Sequence, residues 1–273
     1  MTFQDKLNNI IEKNNSLVCV GLDTDIEKIP HHLKKEDYSI FEFNKEIINA
    51  THDLVCAYKP NSAFYEALGD RGVRELKMTC DYINQNYPKI PIILDAKRAD
   101  IGNTNNGYIK YAYEYVGADA ITLNPYLGKD ALQPFLNLKE KGSIILCKTS
   151  NSGAGEFQDL KVEDKQLYKI IAEKVATEWN AKSNCLLVVG ATYPQELNEV
   201  RQLVGDMTIL VPGIGAQGGD LEKTIKAGLN SKKSGLIINS SRAIIYASSG
   251  EDFAEKAGEE TKKLRDEINK YIK

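Results

Sequence analysis

Two carboxylates and a lysine fall within the run LDAKRADIGNT, residues 94–104. Asp95 and Lys97 are two apart, so on an extended strand their side chains leave the same face. Asp100 follows in what reads as a loop. Carboxylates buried side by side are costly unless a cation lies among them. Lys97 and Lys59 supply that charge, and the expected arrangement is an alternating chain, Lys59–Asp95–Lys97–Asp100. Flanking carboxylates keep a lysine protonated. A lysine held in that way is a general acid and a fixed positive charge. On spacing alone, an ordinary ion-pair network at the rim of a fold is the competing reading.

A second group of residues suits an anion. The run VPGIGAQGGD, residues 211–220, places glycines around Gln217. Backbone N–H groups in such a loop can approach a phosphate closely. Arg242, in NSSRAI (residues 239–244), can fork to phosphate oxygens. The competing reading is a flexible turn and a surface arginine. Metal chemistry finds less support. His31, His32 and His52 make no HxH or HxxxH pair, and Cys19, Cys56, Cys80, Cys147 and Cys185 match no zinc or redox spacing. No metal site is expected.

These residues need a frame that brings distant segments to one place. Short apolar runs predict strands near Leu17–Leu22, Leu54–Lys59, Ile90–Ala96, Ala120–Leu123, Ser143–Lys148, Cys185–Val189, Thr208–Val211 and Gly235–Ile238. Most are continuous rather than alternating, as in strands covered on both faces by helices. Amphipathic stretches lie between them, such as Val73, Leu76, Cys80, Ile83 and Tyr87 on one helical face. Alternating β and α units predict a (β/α)8 TIM barrel occupying residues 1–273 as one domain, with a doubly wound open sheet as the alternative. Phe3, Leu7, Ile10 and Ile11 predict an extra N-terminal helix across the lower end. In such a barrel, function sits just after each strand. Asp23, Lys59-Pro60-Asn61, the 94–104 run, CKTSNSG (147–153), the glycine loop and NSSRAI all fall there.

Composition narrows the classes. A length of 273 residues suits one barrel of about 250. The net charge of −3 lacks the basic signature of nucleic-acid or membrane binding, so neither partner is expected. The opening MTFQDKLNNIIEKNN is not a secretory signal, and no stretch approaches the ~20 apolar residues of a membrane span. Cysteines in apolar runs read as buried reduced thiols, which points to the cytoplasm.

DAKRADIGNT closely resembles the aspartate-x-lysine-x-x-aspartate signature of the orotidine 5′-phosphate decarboxylases. CVGLDTD, AYKPNSAFYE, DAITLNPYLG, CKTSNSGAGEF, VVGATYPQEL and LVPGIGAQGGD are similar to the longer branch of that family, so the likeness spans nearly the whole chain. The resemblance implies a cofactor-free, metal-free conversion of orotidine 5′-phosphate to uridine 5′-phosphate and CO2, the last step of de novo UMP biosynthesis. It implies Lys97 as proton donor to C6, Asp95 beside the leaving carboxylate, and Lys59 linking ribose to the charge chain. Asp23 and Asn61 would bind ribose hydroxyls, Thr149 and Ser150 the pyrimidine edge, and Gln217 and Arg242 the phosphate. Asp100, Ile101 and Thr104 would cross from the partner subunit of a homodimer with shared sites. One departure is visible: Ser240-Ser241 precede Arg242 where the shorter branch often has glycine. Two rivals stay open, a metal-dependent sugar-phosphate decarboxylase or epimerase and a nucleotide-binding barrel without activity.

Overall fold

The structure, a computed structural model, describes residues 1–214 and 220–272. Gln217 and most of the glycine loop lie outside the described residues. Eight parallel strands form one sheet: β1 (Val18–Gly21), β2 (Ala57–Lys59), β3 (Ile93–Arg98), β4 (Ala120–Leu123), β5 (Gly142–Lys148), β6 (Cys185–Val189), β7 (Ile209–Pro212) and β8 (Leu236–Ser240). Their spatial order is β2-β1-β8-β7-β6-β5-β4-β3. Two single bridges, Tyr58 to Ile92 and Asn61 to Asp95, join β2 to β3 and complete the ring. The sequence therefore predicts the closed barrel correctly, and the open sheet is set aside.

The continuous apolar runs become strands because both faces are covered. Val18, Val20, Ile237, Ile238, Leu187 and Val189 are all buried. Inward residues fill the barrel and outward ones meet the helices. The helices bury the stripes read from sequence, with Leu76, Cys80 and Ile83 inside Gly69–Asn86 and Leu197, Val200 and Val204 inside Pro194–Val204. Glu75 is also fully buried, in a place a stripe of apolar residues would not suggest. It accepts from the Phe41 backbone N–H at 2.9 Å and from Arg71 at 3.1 Å, tying two helices together. All five cysteines are free and buried.

The N-terminal helix Phe3–Asn14 starts at a capping box formed by Thr2 and Asp5. It covers the lower end as expected. Phe3 packs on Gly142 at the foot of β5, Lys6 pairs with Asp119 below β4 at 2.8 Å, and Gln4 accepts from Thr208 below β7.

Several strand limits differ from the sequence reading. Expected Leu54–Lys59 shortens to Ala57–Lys59, because Leu54 lies in the turn leaving the helix Ser39–Thr51. Expected Gly235–Ile238 runs on to Ser240, because Asn239 and Ser240 still pair with Cys19 and Val20. A small hairpin, Lys161–Val162 with Lys165–Gln166, stands apart from the barrel and was not expected.

Candidate active site

The upper end of the barrel opens into a cavity of about 400 Å³. Asp23, Lys59, Asn61, Asp95, Lys97, Thr149, Ser150 and Arg242 all line it. Those eight positions come from five separate strand ends, and the barrel alone brings them together.

At the centre lies Asp95. Its Oδ2 accepts from Lys59 Nζ at 2.9 Å, and its Oδ1 accepts from Lys97 Nζ at 2.7 Å and from Thr122 Oγ1 at 2.9 Å. Lys59 Nζ also stands 3.8 Å from Asp23 Oδ1. Burial opposes ionisation of Asp95, but the charges and hydrogen bonds of Lys59 and Lys97 outweigh it and hold the carboxyl well below the usual range. Burial likewise opposes the Lys59 cation, and Asp23 and Asp95 more than compensate, raising its pKa above the ordinary lysine value. Both groups are therefore charged at neutral pH. Lys59 is 3% exposed, whereas the Lys97 side chain is 49% exposed and reaches into the opening.

Asp95 and Lys97 do meet, but simple alternation is not how. Between Leu94 and Arg98 the register shifts: β3 advances four residues (98 − 94) while β4 advances two (123 − 121). Lys97 sits within this bulge in the left-handed region, at φ +47°. That conformation costs a lysine about 1–3 kcal/mol and persists only where its surroundings impose it. Thr122 does so, because its hydroxyl accepts the Lys97 backbone N–H at 2.9 Å while donating to Asp95. A bulge beside a cavity re-aims a side chain. Thr122 carries this role, and sequence reasoning missed it. The available signal was its place at the end of the fourth strand, in DAITLNPYLG.

The fourth charge of the expected chain is elsewhere. Asp100 does not line the cavity and makes no ion pair with Lys97 among the described residues. Its Oδ1 accepts from the Ile101 backbone N–H, and its own N–H donates to Asn105. Ile101 is 63% exposed and Thr104 is exposed as well. Among the described residues the chain of charges is thus Asp23–Lys59–Asp95–Lys97. Residues 99–103 leave the strand, so the contact that Asp95 and Lys97 make at the bulge does not extend to Asp100.

Loops above the strands set the remaining groups. The β1 loop is pinned by Tyr246, whose hydroxyl accepts from the Asp25 N–H at 2.6 Å and donates to the Asp23 carbonyl at 3.2 Å. Asn61 caps the short helix Ser62–Glu66, its side chain accepting from the Ala63 N–H. Thr149 is clamped by Gln158, which accepts from the Thr149 N–H and donates to its hydroxyl, both at 2.8 Å. Ser150 lies against Gly190, where an added Cβ would be 2.8 Å from the Ser150 Cβ. Gly21 has the same function beneath Ser241, since a Cβ there would be 1.8 Å from the serine Oγ. Ser241 therefore fits beside Arg242 because β1 has a glycine facing it.

Other chemistries find little here. Cys19, the thiol nearest these charges, is fully buried, and burial pushes its pKa up to about 12, so it is not a thiolate at neutral pH. No group of three or more His, Cys, Asp or Glu among the described residues is placed to hold a metal ion.

The model of the Orotidine 5′-phosphate decarboxylase / HUMPS family matches residues 16–257. The chain belongs to that family. A Cellvibrio japonicus protein named orotidine 5′-phosphate decarboxylase is 52% identical over 271 residues, covering 98% of each chain. Among solved structures, an OMP decarboxylase of Leishmania donovani has a TM-score of 0.85 and 38% identity, covering 100% of this chain and 99% of that one. A Leishmania donovani UMP synthase structure has a TM-score of 0.89 and 39% identity; the chain spans 57% of its length.

Proposed function

We propose that this protein decarboxylates orotidine 5′-phosphate to uridine 5′-phosphate, the closing step of UMP biosynthesis, without a metal or organic cofactor. The observation that carries the reading is the Lys97 ammonium, fixed 2.7 Å from a buried Asp95 that Lys59 and Thr122 hold in place. Family membership and the name shared by relatives of about half identity support the same substrate.

The reaction breaks the bond from C6 to the carboxyl carbon. CO2 departs, the electron pair stays on C6, and the ring delocalises it poorly. A preformed cation beside C6 lowers that barrier without reorganising as charge develops. Lys97 supplies the cation and then passes a proton to C6. Asp95 keeps it protonated and faces the departing carboxylate, and Lys59 keeps Asp95 ionised and fixed. Arg242 holds the phosphate together with Gln217, which lies outside the described residues. Thr149 and Ser150 meet the pyrimidine edge; Asp23 and Asn61 meet the ribose. Asp100, Ile101 and Thr104 complete the site of a partner subunit, a role consistent with the exposure of Ile101 and Thr104 and with the place of all three outside their own cavity. A cytoplasmic location agrees with five buried free thiols, and no helix among the described residues is long and apolar enough to cross a membrane.

A metal-dependent sugar-phosphate decarboxylase or epimerase is the competing reading. Lys59 stands between the carboxylates of Asp23 and Asp95, where a divalent ion would have to sit, and favours the metal-free one. Ultraviolet absorbance of EDTA-treated protein mixed with orotidine 5′-phosphate separates them. A rapid change to the uridine 5′-phosphate spectrum is expected. No change until magnesium is added would move the assignment to that metal-dependent relative. Lys97→Ala should lower turnover about 1,000-fold or more, and a variant with near-normal rates would sink the role given to Lys97.

A further inference from the structure

The cavity floor is apolar on one side, where Leu146, Val188 and Leu210 face it from β5, β6 and β7. On the β8 side it carries an amide, Asn239. This residue is 6% exposed, and its Oδ1 has no hydrogen-bond partner among the described residues. Its Nδ2 makes one long contact, 3.4 Å to Ser241 Oγ. The strand does not require an amide there: Ile237, two residues earlier on the same face, is apolar and fully buried. An unpaired buried carboxamide oxygen is costly, and an apolar side chain would avoid the penalty.

What surrounds the oxygen indicates what it awaits. A Cβ added to Gly21 would lie 3.3 Å from Asn239 Oδ1, which places the oxygen against β1, two residues before Asp23. Asp23 Oδ1 is buried without a hydrogen bond among the described residues as well. Lys59 Nζ donates to Asp95, one of the three bonds an ammonium can make. Unused acceptors and an unused donor thus line the β8–β1–β2 side of the cavity, between Arg242 and the Asp95–Lys97 pair. A hydroxyl satisfies such a set because it donates and accepts at once.

We propose that Asn239 is a further substrate-binding residue, its carboxamide oxygen accepting a hydrogen bond from a ribose hydroxyl of the nucleotide. This rests on the decarboxylase reading, in which the sugar bridges the phosphate and the reacting ring. The test is calorimetric binding of uridine 5′-phosphate and its 2′-deoxy and 3′-deoxy analogues to wild type and Asn239→Ala, with wild-type turnover of orotidine 5′-phosphate measured on the same preparation. Asn239→Ala is expected to weaken the ribonucleotide about tenfold and one deoxy analogue less than about twofold, because that analogue lacks the donor. Should the alanine variant fail to fold, Asn239→Val makes the same truncation with a side chain suited to a strand. Equal weakening of all three ligands, or none, overturns the proposal while wild-type turnover leaves the decarboxylase reading intact. A wild type that neither binds uridine 5′-phosphate nor turns over the substrate takes down both.

Discussion

Replacing Asp95 by Asn keeps the side chain's shape and removes one negative charge from the centre of the site. Lys59 then loses its 2.9 Å partner and keeps, among the described residues, only Asp23 at 3.8 Å, while remaining 3% exposed. Stranding a buried ion by deleting its partner costs ~3–5 kcal/mol, and the remaining Asp23 puts this case near the lower end. Lys97 adds little, because its half-exposed side chain can turn to water and such pairs are worth under ~1 kcal/mol. The expected loss is thus ~3 kcal/mol, a large part of a total of ~5–15 kcal/mol. Urea unfolding at pH 7 reads it directly. Acid supplies a second check. The Asp95 pKa is depressed in the folded protein, so its stabilisation is complete above the usual 3.8 and is lost as pH falls through the lower folded value. The gap between wild type and Asp95→Asn should therefore stay level from pH 7 to about 4 and shrink below that. A gap under ~0.5 kcal/mol, within the range of a neutral surface substitution, refutes the coupled-charge account. So does a gap that acid leaves unchanged.

Arg242→Ala should weaken binding of uridine 5′-phosphate by about 10- to 100-fold, the worth of a charged hydrogen-bonding group, and leave the affinity for uridine unchanged. Equal losses for both ligands would place the phosphate elsewhere. Mixing inactive Lys97→Ala and Asp100→Ala proteins should recover about a quarter of wild-type activity once subunits exchange, since half the dimers are mixed and each holds one intact site. No recovery, with exchange verified by a mass-tagged subunit, argues against shared sites. Gly190→Ala must push Ser150 aside by several tenths of an ångström, as the new Cβ would lie 2.8–3.0 Å from its Cβ, Cα and N. Steady-state kinetics should show a raised KM, and urea unfolding should show a cost of ~1–3 kcal/mol. Unchanged kinetics would mean that the 149–151 segment does not touch substrate.

Much of this molecule follows from local sequence. Continuous Val, Ile, Leu and Cys runs read as strands covered on both faces, and their alternation with amphipathic helices predicts a barrel, which the bridges between β2 and β3 then close. Lys59, Asp95, Lys97 and Arg242 are visible as candidates because charged residues at the ends of apolar strands have a cost that function explains. The N-terminal helix, too, is legible from Phe3, Leu7 and Ile10. What the sequence does not contain is any relation between strands far apart in the chain. The bulge that turns Lys97 into the left-handed region depends on Thr122, a neighbour in space on β4. Ser241 beside Arg242 is tolerable because Gly21 lies opposite it across the sheet. Asn239 is an ordinary amide in sequence and becomes conspicuous only when burial leaves its oxygen without a partner among the described residues. Asp100 reads as the next member of the charge chain until the backbone leaves the strand and carries it away from the cavity. Periodicity is a property of one segment, whereas register, close approach and hydrogen-bond satisfaction belong to pairs of segments, and only the folded chain brings those pairs into being.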